Sequence, residues 1–200
     1  MVHNLSTSNS LVNQFVAELR NVHVQHDRMR FRRNLERIGE VIAYEISKQL
    51  QYQEVEITTP LGAAVMNQLT DQPVIGTILR AGLPMHQGIL NYFDHADNAF
   101  ISAYRKHHKD GTFEIALEYV SCPSLQDRTL ILCDPMLATG SSIVMTCKAM
   151  AQKGIARHTH IVCAIASAQG IEYVKRHLSE NVTIWAAAID EELTAQAYIV

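Results

Sequence analysis

The chain has 200 residues, of which 48% are hydrophobic and 18% are charged, and its formal net charge is -3 at pH 7. A chain of this length can bury one good core but hardly two, so we expect a single domain over residues 1–200. The near-balanced charge excludes a general attraction to nucleic acid or an anionic membrane, so any polyanion must be bound locally.

The N-terminal part predicts helices. Between residues 11 and 50, apolar residues recur at steps of three and four, which indicates an N-terminal helical region of two helices. The first ten residues, MVHNLSTSNS, are polar, and no run of eighteen apolar residues occurs anywhere. We therefore expect neither a signal peptide nor a membrane span.

The next part alternates strands with helices. The apolar runs VIGTILRAG, AFISAY, TLILC, THIVCAIA and VTIWAAAI have strand character, and several are separated by helical patterns. This alternation predicts a parallel sheet covered by helices on both faces. One segment departs from it: Asp110-Gly111 is a hairpin signal within RKHHKDGTFEIALEYV, and it predicts a flexible two-stranded arm over residues 105–120.

Cysteine usage indicates a reducing compartment. Cys122, Cys133, Cys147 and Cys163 stand far apart without a C-x-x-C pair, and Cys133 and Cys163 fall inside apolar runs. Such spacing is typical of reduced, buried thiols rather than of a disulfide framework or a zinc site. We expect a cytoplasmic protein.

Two groups of titratable residues are interpreted as surface features. The basic run DRMRFRR, residues 27–33, is followed at helical reach by Glu36 and Glu40, which favours an ion-paired helix face over a nucleic-acid patch. His158 and His160 alternate along a strand without an acid or cysteine beside them. We interpret both histidines as surface residues rather than as metal ligands.

The stretch TLILCDPMLATGSSIVMTCKAM, residues 129–150, predicts a strand end, a loop and a helix start. Open α/β sheets bind ligands at such places, and the unpaired N–H groups of a helix N-terminus favour an anion. Gly140 would let the backbone approach closely, and the neighbouring hydroxyls add hydrogen-bond donors. The lysine of a Walker A loop and the G-x-G-x-x-G pattern of a dinucleotide site are both missing.

A single carboxylate precedes this turn. Asp134 stands at the strand end, where it could accept hydrogen bonds from a vicinal diol. A diol on one side and a phosphate on the other describe a ribose 5-phosphate. The alternative is an ordinary turn in which Ser141 caps the helix and Asp134 is solvated.

Three motifs carry a resemblance to a known family. CDPMLATGSS resembles the phosphoribosyl pyrophosphate (PRPP) loop of type I phosphoribosyltransferases, and DPMLATG is the form typical of uracil phosphoribosyltransferases. TILRAGLPM is similar to the I-L-R-A-G-L-G-M segment of that family, and AYRKHHKDGTFEIALEYVSCP is similar to its arm. The resemblance implies a Rossmann-like parallel sheet flanked by helices, with N-terminal helices and a β-hairpin arm. It also implies conversion of uracil and PRPP to UMP and pyrophosphate.

The resemblance assigns candidate catalytic roles to Asp134, Arg80 and Arg105. Asp134 would meet the ribose hydroxyls, while Arg80, with the backbone of Ala81 and Gly82, and Arg105 would bind the pyrophosphate group. A cis peptide bond is implied at Arg80–Ala81. The other implied PRPP contacts are Pro135, Met136, Leu137, Ala138, Thr139, Gly140, Ser141 and Ser142.

The resemblance also bears on the base, the metal and the partners. In the family, a Pro-Gly-Leu-Gly-Asp-Ala-Gly-Asp loop reads the uracil edge after the strand that matches Tyr198 to Val200, so Ile199 is the one uracil contact carried over. A single acid in the PRPP loop implies that Mg²⁺ is held mainly by PRPP. We expect a homodimer or higher homo-oligomer, with no membrane or nucleic-acid partner. Two alternatives stay open: a PRPP-binding regulator without base transfer and, less favoured by DPMLATG, a purine phosphoribosyltransferase.

Overall fold

A computed structural model describes residues 1–107 and 113–192 of the chain, with side chains described outside residues 103–117. Its helices are α1 (Leu11–Arg20), α2 (Arg28–Ser47), α3 (Leu83–Leu90), α4 (Ser141–Met150) and α5 (Ala168–His177). Its strands are β1 (Val2–Asn4), β2 (Tyr52–Thr59), β3 (Gly62–Leu69), β4 (Val74–Leu79), β5 (Asp97–His107), β6 (Phe113–Ser121), β7 (Thr129–Cys133), β8 (Met136–Leu137), β9 (His158–Ser167) and β10 (Val182–Asp190).

The main sheet has the strand order β1-β10-β9-β7-β4-β5-β6, and the short β8 pairs with β9. Every pairing is parallel except the one between β5 and β6. Helices α3, α4 and α5 form the connections between successive parallel strands, as parallel pairing requires. The predicted α/β sheet flanked by helices is therefore confirmed.

Continuous apolar runs form the central strands because helices cover both of their faces. Every residue of β7 is buried, and so is almost all of β4 and β9. On one face, Ile38 and Ile42 of α2 pack in a cluster with Ile131. On the other face, Leu132 packs in a cluster with Ile143 of α4. Burial of these side chains holds α2 and α4 against the two faces of the sheet, at a gain of about 1.5 to 3 kcal/mol for each fully buried one.

Two elements of the structure were not predicted. Strands β2 and β3 form a separate antiparallel hairpin. The sequence offered a signal for it, because Val55 and Ile57 alternate with polar residues and Pro60-Leu61-Gly62 predicts a turn. Strand β1 lies in the polar N-terminal segment and pairs in parallel with β10. It was missed because a strand of three residues is too short to show the alternation of apolar and polar residues.

The predicted arm corresponds to β5 and β6, which pair in antiparallel fashion from Phe100 opposite Ser121 to His107 opposite Phe113. The hairpin signal Asp110-Gly111 lies outside the described residues. Within the described ranges, no helix combines the length and the apolar character that a membrane crossing needs.

The interpretation of His160 as a surface residue is wrong. It is 3% exposed, and its Nδ1 accepts a hydrogen bond of 3.0 Å from Nε1 of Trp185. The ring of His3 stacks on the same indole at 4.0 Å, and the ring of His158 lies 4.6 Å from that of His160. Pairing of β10 with β9 on one side and with β1 on the other brings Trp185 to these histidines, which the alternation along β9 alone could not indicate.

Candidate active site

The winding of the chain reverses between β4 and β7, which are neighbours at the centre of the sheet. After β4 the chain continues to β5 on one side, and after β7 it continues to β9 on the other. Open α/β sheets have a ligand-binding crevice outside the carboxyl ends of the strands at such a switch point. The segment after Leu79 and the segment after Cys133 therefore leave the sheet side by side.

The segment after β4 contains Arg80, Ala81 and Gly82. The cis peptide bond lies at Leu79–Arg80, so its placement at Arg80–Ala81 was wrong by one residue. Arg80 and Ala81 are exposed, whereas Gly82 is buried and its N–H donates to the carbonyl oxygen of Ile78 at 3.1 Å. Leu83 then begins α3, with proline in its first turn, where proline is well tolerated.

Gly82 lies where the two segments meet. A Cβ on this residue would lie 2.9 Å from the carbonyl oxygen of Ile78 and 3.0 Å from that of Cys133, and it would collide with Oγ1 of Thr77. Any side chain would therefore push the two segments apart. Glycine at this position sets the separation between Arg80 and the segment that follows β7.

Asp134 begins the segment after β7 and is half-buried. Its N–H donates to the carbonyl oxygen of Val162 at 3.0 Å. Burial raises the pKa of the Asp134 carboxyl to about 6, against the opposing effect of a hydrogen bond from the Met136 N–H. A carboxylate that has lost much of its water gains from hydroxyl donors supplied by a ligand.

Residues 135–137 are bound to the edge of β9. The carbonyl oxygen of Pro135 accepts hydrogen bonds from the N–H groups of Ala164 and Ile165, at 2.9 and 3.1 Å. Met136 and Leu137 form β8 opposite Ile165 and Ala166. This pairing fixes the path from Asp134 to the start of α4.

Gly140, rather than Ser141, caps α4. It has φ of 78°, and the cap makes no side-chain hydrogen bond, so the alternative in which Ser141 caps the helix is wrong. Oγ1 of Thr139 lies 3.2 Å from Oγ of Ser141. A small cavity of 30 Å³ lies against Asp134, Ala138, Thr139, Gly140 and Ser142. Hydroxyls and a helix start without a side-chain cap thus face one place, which suits an anion.

Ser167 and Gly170 support this turn, and sequence reasoning missed both. Oγ of Ser167 donates to the carbonyl oxygen of Ala138 at 2.5 Å and accepts from the Gly170 N–H at 2.8 Å. The available signal was the sequence SAQG at the end of a strand, which predicts a capped helix start. The contact of Ser167 with the turn could not be predicted, because it depends on the tertiary structure.

The structure brings Arg80, Ala81 and Gly82 to the same edge of the sheet as residues 134–142. Arg105 belongs to β5 by its backbone, three residues beyond Ser102, which pairs with Leu79 at the end of β4. The backbone of Arg105 therefore lies beyond the end of β4. Its side chain is not among the side chains that the structure describes. Ile199 also lies outside the described residues.

A larger cavity of 720 Å³ opens beside this edge and is called the large cavity below. It lies between α1 and α2 on one side and the segments after β4 and β7 on the other. Phe31 and Leu35 of α2 line it, together with Met136 and Ile165. The large cavity is therefore mainly apolar and adjoins the Arg80 and Asp134 segments.

Comparison with known proteins decides the family. A family model described as uracil phosphoribosyltransferase matches residues 6–200. The chain belongs to this family. Among its curated relatives, the uracil phosphoribosyltransferase of Porphyromonas gingivalis is 51% identical over 199 residues, covering 100% of this chain and 92% of the relative. That of Methanothermobacter thermautotrophicus is 34% identical over 172 residues, covering 85% of this chain and 78% of the relative.

Solved structures bear on the fold. The AQ2163 protein of Aquifex aeolicus aligns with a TM-score of 0.87 at 26% identity, covering 100% of this chain and 92% of that one. A hypoxanthine phosphoribosyltransferase of Staphylococcus aureus aligns with a TM-score of 0.53 at 12% identity, over 80% of this chain and 74% of that one, which bears on the fold alone. The predicted family and the predicted type I phosphoribosyltransferase fold are both confirmed.

Proposed function

We propose that this protein transfers the phosphoribosyl group of PRPP to uracil, giving UMP and pyrophosphate in pyrimidine salvage. The observation that carries the proposal is the meeting of the Arg80 and Asp134 segments at the switch point of the sheet, in a chain of this family. The relatives from Porphyromonas gingivalis and Methanothermobacter thermautotrophicus carry the name of this activity.

The segment after β7 would bind the ribose and its 5-phosphate. The carboxylate of Asp134 would accept hydrogen bonds from the ribose hydroxyls. The start of α4 would bind the phosphate, since the N-terminus of a helix carries about half a positive charge and unpaired N–H groups. The residues that would surround the ribose phosphate are Pro135, Met136, Leu137, Ala138, Thr139, Gly140, Ser141 and Ser142.

The segment after β4 would bind the pyrophosphate group. The exposed guanidinium of Arg80 is well suited to phosphate oxygens, and each charge-assisted hydrogen bond of this kind contributes about 1.5 to 3 kcal/mol. Ala81 and Gly82 would add backbone contacts, and Arg105 at the base of the arm would add a second guanidinium. Ile199 would contact uracil.

The donor set fits a magnesium ion that is held mainly by the substrate. Among the described residues, no group of three or more His, Cys, Asp or Glu side chains could hold a metal. Mg²⁺ retains several waters and binds phosphate oxygens with one or two carboxylates, so one acid, Asp134, suffices beside PRPP. When bound, Mg²⁺ neutralises charge on the departing pyrophosphate.

In the reaction, the bond between the anomeric carbon and the pyrophosphate oxygen breaks, and uracil N1 bonds to that carbon. The bonding electron pair leaves with pyrophosphate, and the N1 proton passes to the departing pyrophosphate or to water. Arg80 would stabilise the negative charge on the leaving group as it develops, while Asp134 would hold the ribose. Positioning of the two substrates would supply most of the catalysis.

We further propose a cytoplasmic homodimer or higher homo-oligomer. The four cysteines are free thiols, two of them buried, which suits a reducing compartment. The β2–β3 hairpin carries exposed apolar side chains, among them Leu61 at 100%, Val65 at 62% and Met66 at 51% exposure. Surfaces of this kind are typical of contacts between subunits. Light scattering coupled to size exclusion would give the number of subunits.

A competition assay tests the activity. The protein is incubated with PRPP, Mg²⁺ and equal amounts of uracil, cytosine, hypoxanthine, guanine and adenine, and the nucleotides are identified by mass. UMP as the dominant product is expected. A purine nucleotide, or PRPP binding without any nucleotide, would overturn the proposal, and the latter outcome would favour a PRPP-binding regulator.

A further inference from the structure

The large cavity has a cationic wall. Three arginines line it, Arg20 at the end of α1, Arg32 in α2 and Arg80 after β4. None of the described residues that line the large cavity is acidic. Such a cavity has a positive potential and attracts an anion.

Arg20 is already neutralised by a carboxylate. Its Nη1 and Nη2 donate to the two carboxylate oxygens of Asp190 at 2.9 and 2.6 Å, in a two-pronged ion pair. This geometry satisfies the charge of Arg20 within the protein. The net positive charge of the cavity wall therefore comes from Arg32 and Arg80.

Arg32 differs from the arginines beside it on α2. The guanidinium of Arg30 pairs with Glu18 at 2.8 Å, and that of Arg33 pairs with Glu36 at 2.7 Å. The predicted ion-paired helix face is confirmed for Arg33, whose partner Glu36 lies on the same helix, whereas the partner of Arg30 lies on α1. Arg32 is exposed and makes no side-chain hydrogen bond or ion pair with any described residue.

The positions of these side chains follow from the helical period. Residues 28 and 32 are one helical turn apart and share a face, while residues 30 and 33 lie on a different one. Arg28, like Arg32, is exposed and makes no side-chain hydrogen bond or ion pair with a described residue, but it does not line the large cavity. The two arginines therefore differ chiefly in their access to the cavity.

Arg80 and Arg32 present two unneutralised guanidinium groups to one cavity with apolar walls. An anion with several oxygens could be bound by both groups at once. The arrangement thus suits a diphosphate better than a single carboxylate.

We propose that Arg32 binds the diphosphate group of PRPP, and the pyrophosphate released from it, across the large cavity from Arg80. The identity of this ligand rests on the proposed function. The N-terminal helix α2 would then supply a substrate-binding residue and not only apolar packing. The negative charge of the diphosphate would attract Arg32 of α2 and Arg80, which would contact the ligand from opposite sides.

Calorimetric titration with magnesium pyrophosphate tests this role directly. We expect Arg32→Gln to weaken pyrophosphate binding about tenfold, which corresponds to about 1.4 kcal/mol. Arg28→Gln is the matched control, because it removes an exposed arginine of the same helix without touching the cavity. We expect the dissociation constant of Arg28→Gln for magnesium pyrophosphate to stay within about twofold of that of the original protein. Arg32→Lys should bind magnesium pyrophosphate more tightly than Arg32→Gln and less tightly than the original protein.

Steady-state kinetics separate this role from a general one. The KM for PRPP should rise in Arg32→Gln while the KM for uracil stays within about twofold, and thermal unfolding should be unchanged because the side chain is exposed. Equal weakening in Arg28→Gln, unchanged pyrophosphate binding in Arg32→Gln, or a change confined to the KM for uracil would each overturn the proposal. Pyrophosphate binding does not require base transfer, so failure to make UMP would overturn the proposed activity and leave the binding result standing.

Discussion

Gly140 and Gly170 lie in direct backbone contact. A Cβ on Gly140 would lie 2.7 Å from the carbonyl oxygen of Gly170 and 3.1 Å from Cγ2 of Val174. The start of α5 therefore supports the turn that begins α4, and neither glycine leaves room for a side chain. This contact links the packing of two helices to the shape of the candidate phosphate site.

We expect Gly140→Ala to lower both stability and PRPP affinity. The residue has φ of 78°, where an L-residue costs about 1 to 2 kcal/mol, and the added methyl group would displace the turn from α5. Gly62→Ala is the control, because Gly62 has φ of 143° but nothing within 4 Å of its Cβ position. Both variants should unfold at lower temperature, and only Gly140→Ala should lose PRPP binding in calorimetry. Unaltered PRPP binding in Gly140→Ala would contradict the role of this turn.

Asp134→Asn should abolish PRPP use while making the protein more stable at neutral pH. The folded pKa of about 6 lies above the ordinary value of 3.8, so the folded state holds the proton more tightly than the unfolded state does. The free energy of unfolding therefore falls as pH rises from below 3.8 to above 6, by on the order of 3 kcal/mol. The asparagine side chain of the variant cannot ionise, so the variant does not lose stability as the pH rises.

Denaturant unfolding at pH 4 and pH 7.5 would measure the effect. The stabilisation by Asp134→Asn should be largest at pH 7.5 and close to zero at pH 4. Asp71→Asn is the control, because Asp71 is an exposed carboxylate that pairs with Arg157 at 3.5 Å, away from the site. A variant that retains full UMP formation would refute the role of Asp134.

His160→Asn should make the protein less sensitive to acid. Burial lowers the pKa of His160 from 6.5 to about 3, so the unfolded state binds more protons between these values. Stability is therefore present above pH 6.5 and lost as pH falls, by about 2 kcal/mol between pH 6.5 and pH 5. The asparagine side chain can still accept from Trp185 but does not titrate.

Trp185 is the one tryptophan of the chain and reports on this hydrogen bond through its fluorescence. Denaturant midpoints read by that fluorescence should fall less steeply with acid in His160→Asn than in the original protein. Identical slopes in the two proteins would show that other groups dominate the acid response.

Cys122 should react first with a thiol reagent under native conditions. Burial raises the pKa of all four thiols, to about 12 for Cys133 and Cys147, but the positive charges of Lys153 and Arg128 oppose the rise at Cys122. Because the thiolate is the reactive form, Cys133, Cys147 and Cys163 should be inert at pH 7.5. Mass mapping after brief maleimide treatment would identify the modified residue, and labelling in guanidinium would show that all four are accessible once unfolded. Rapid native modification of Cys133 would contradict this burial.

Much of the site could be predicted from local patterns. The strand end at Cys133, the lone acid Asp134 and the glycine of the turn are adjacent along the chain, so their order alone indicates a ribose phosphate site. The buried strands could also be predicted, because helices on both faces require continuous apolar runs. The β2–β3 hairpin was missed although Val55 and Ile57 alternate, because the apolar residues of β3 follow one another without a period of two.

The fold class, the family and the two segments that form the site could be predicted from the chain alone, because they depend on residues close together along it. Which distant residues meet follows from the packing of the folded protein. The support of Ala138 by Ser167, the cap at Gly140, the burial of His160 and the presence of Arg32 and Arg80 in one cavity depend on how helices and strands pack. Contacts between residues far apart in sequence leave no local period, since burial and packing arise only when the sheet has formed.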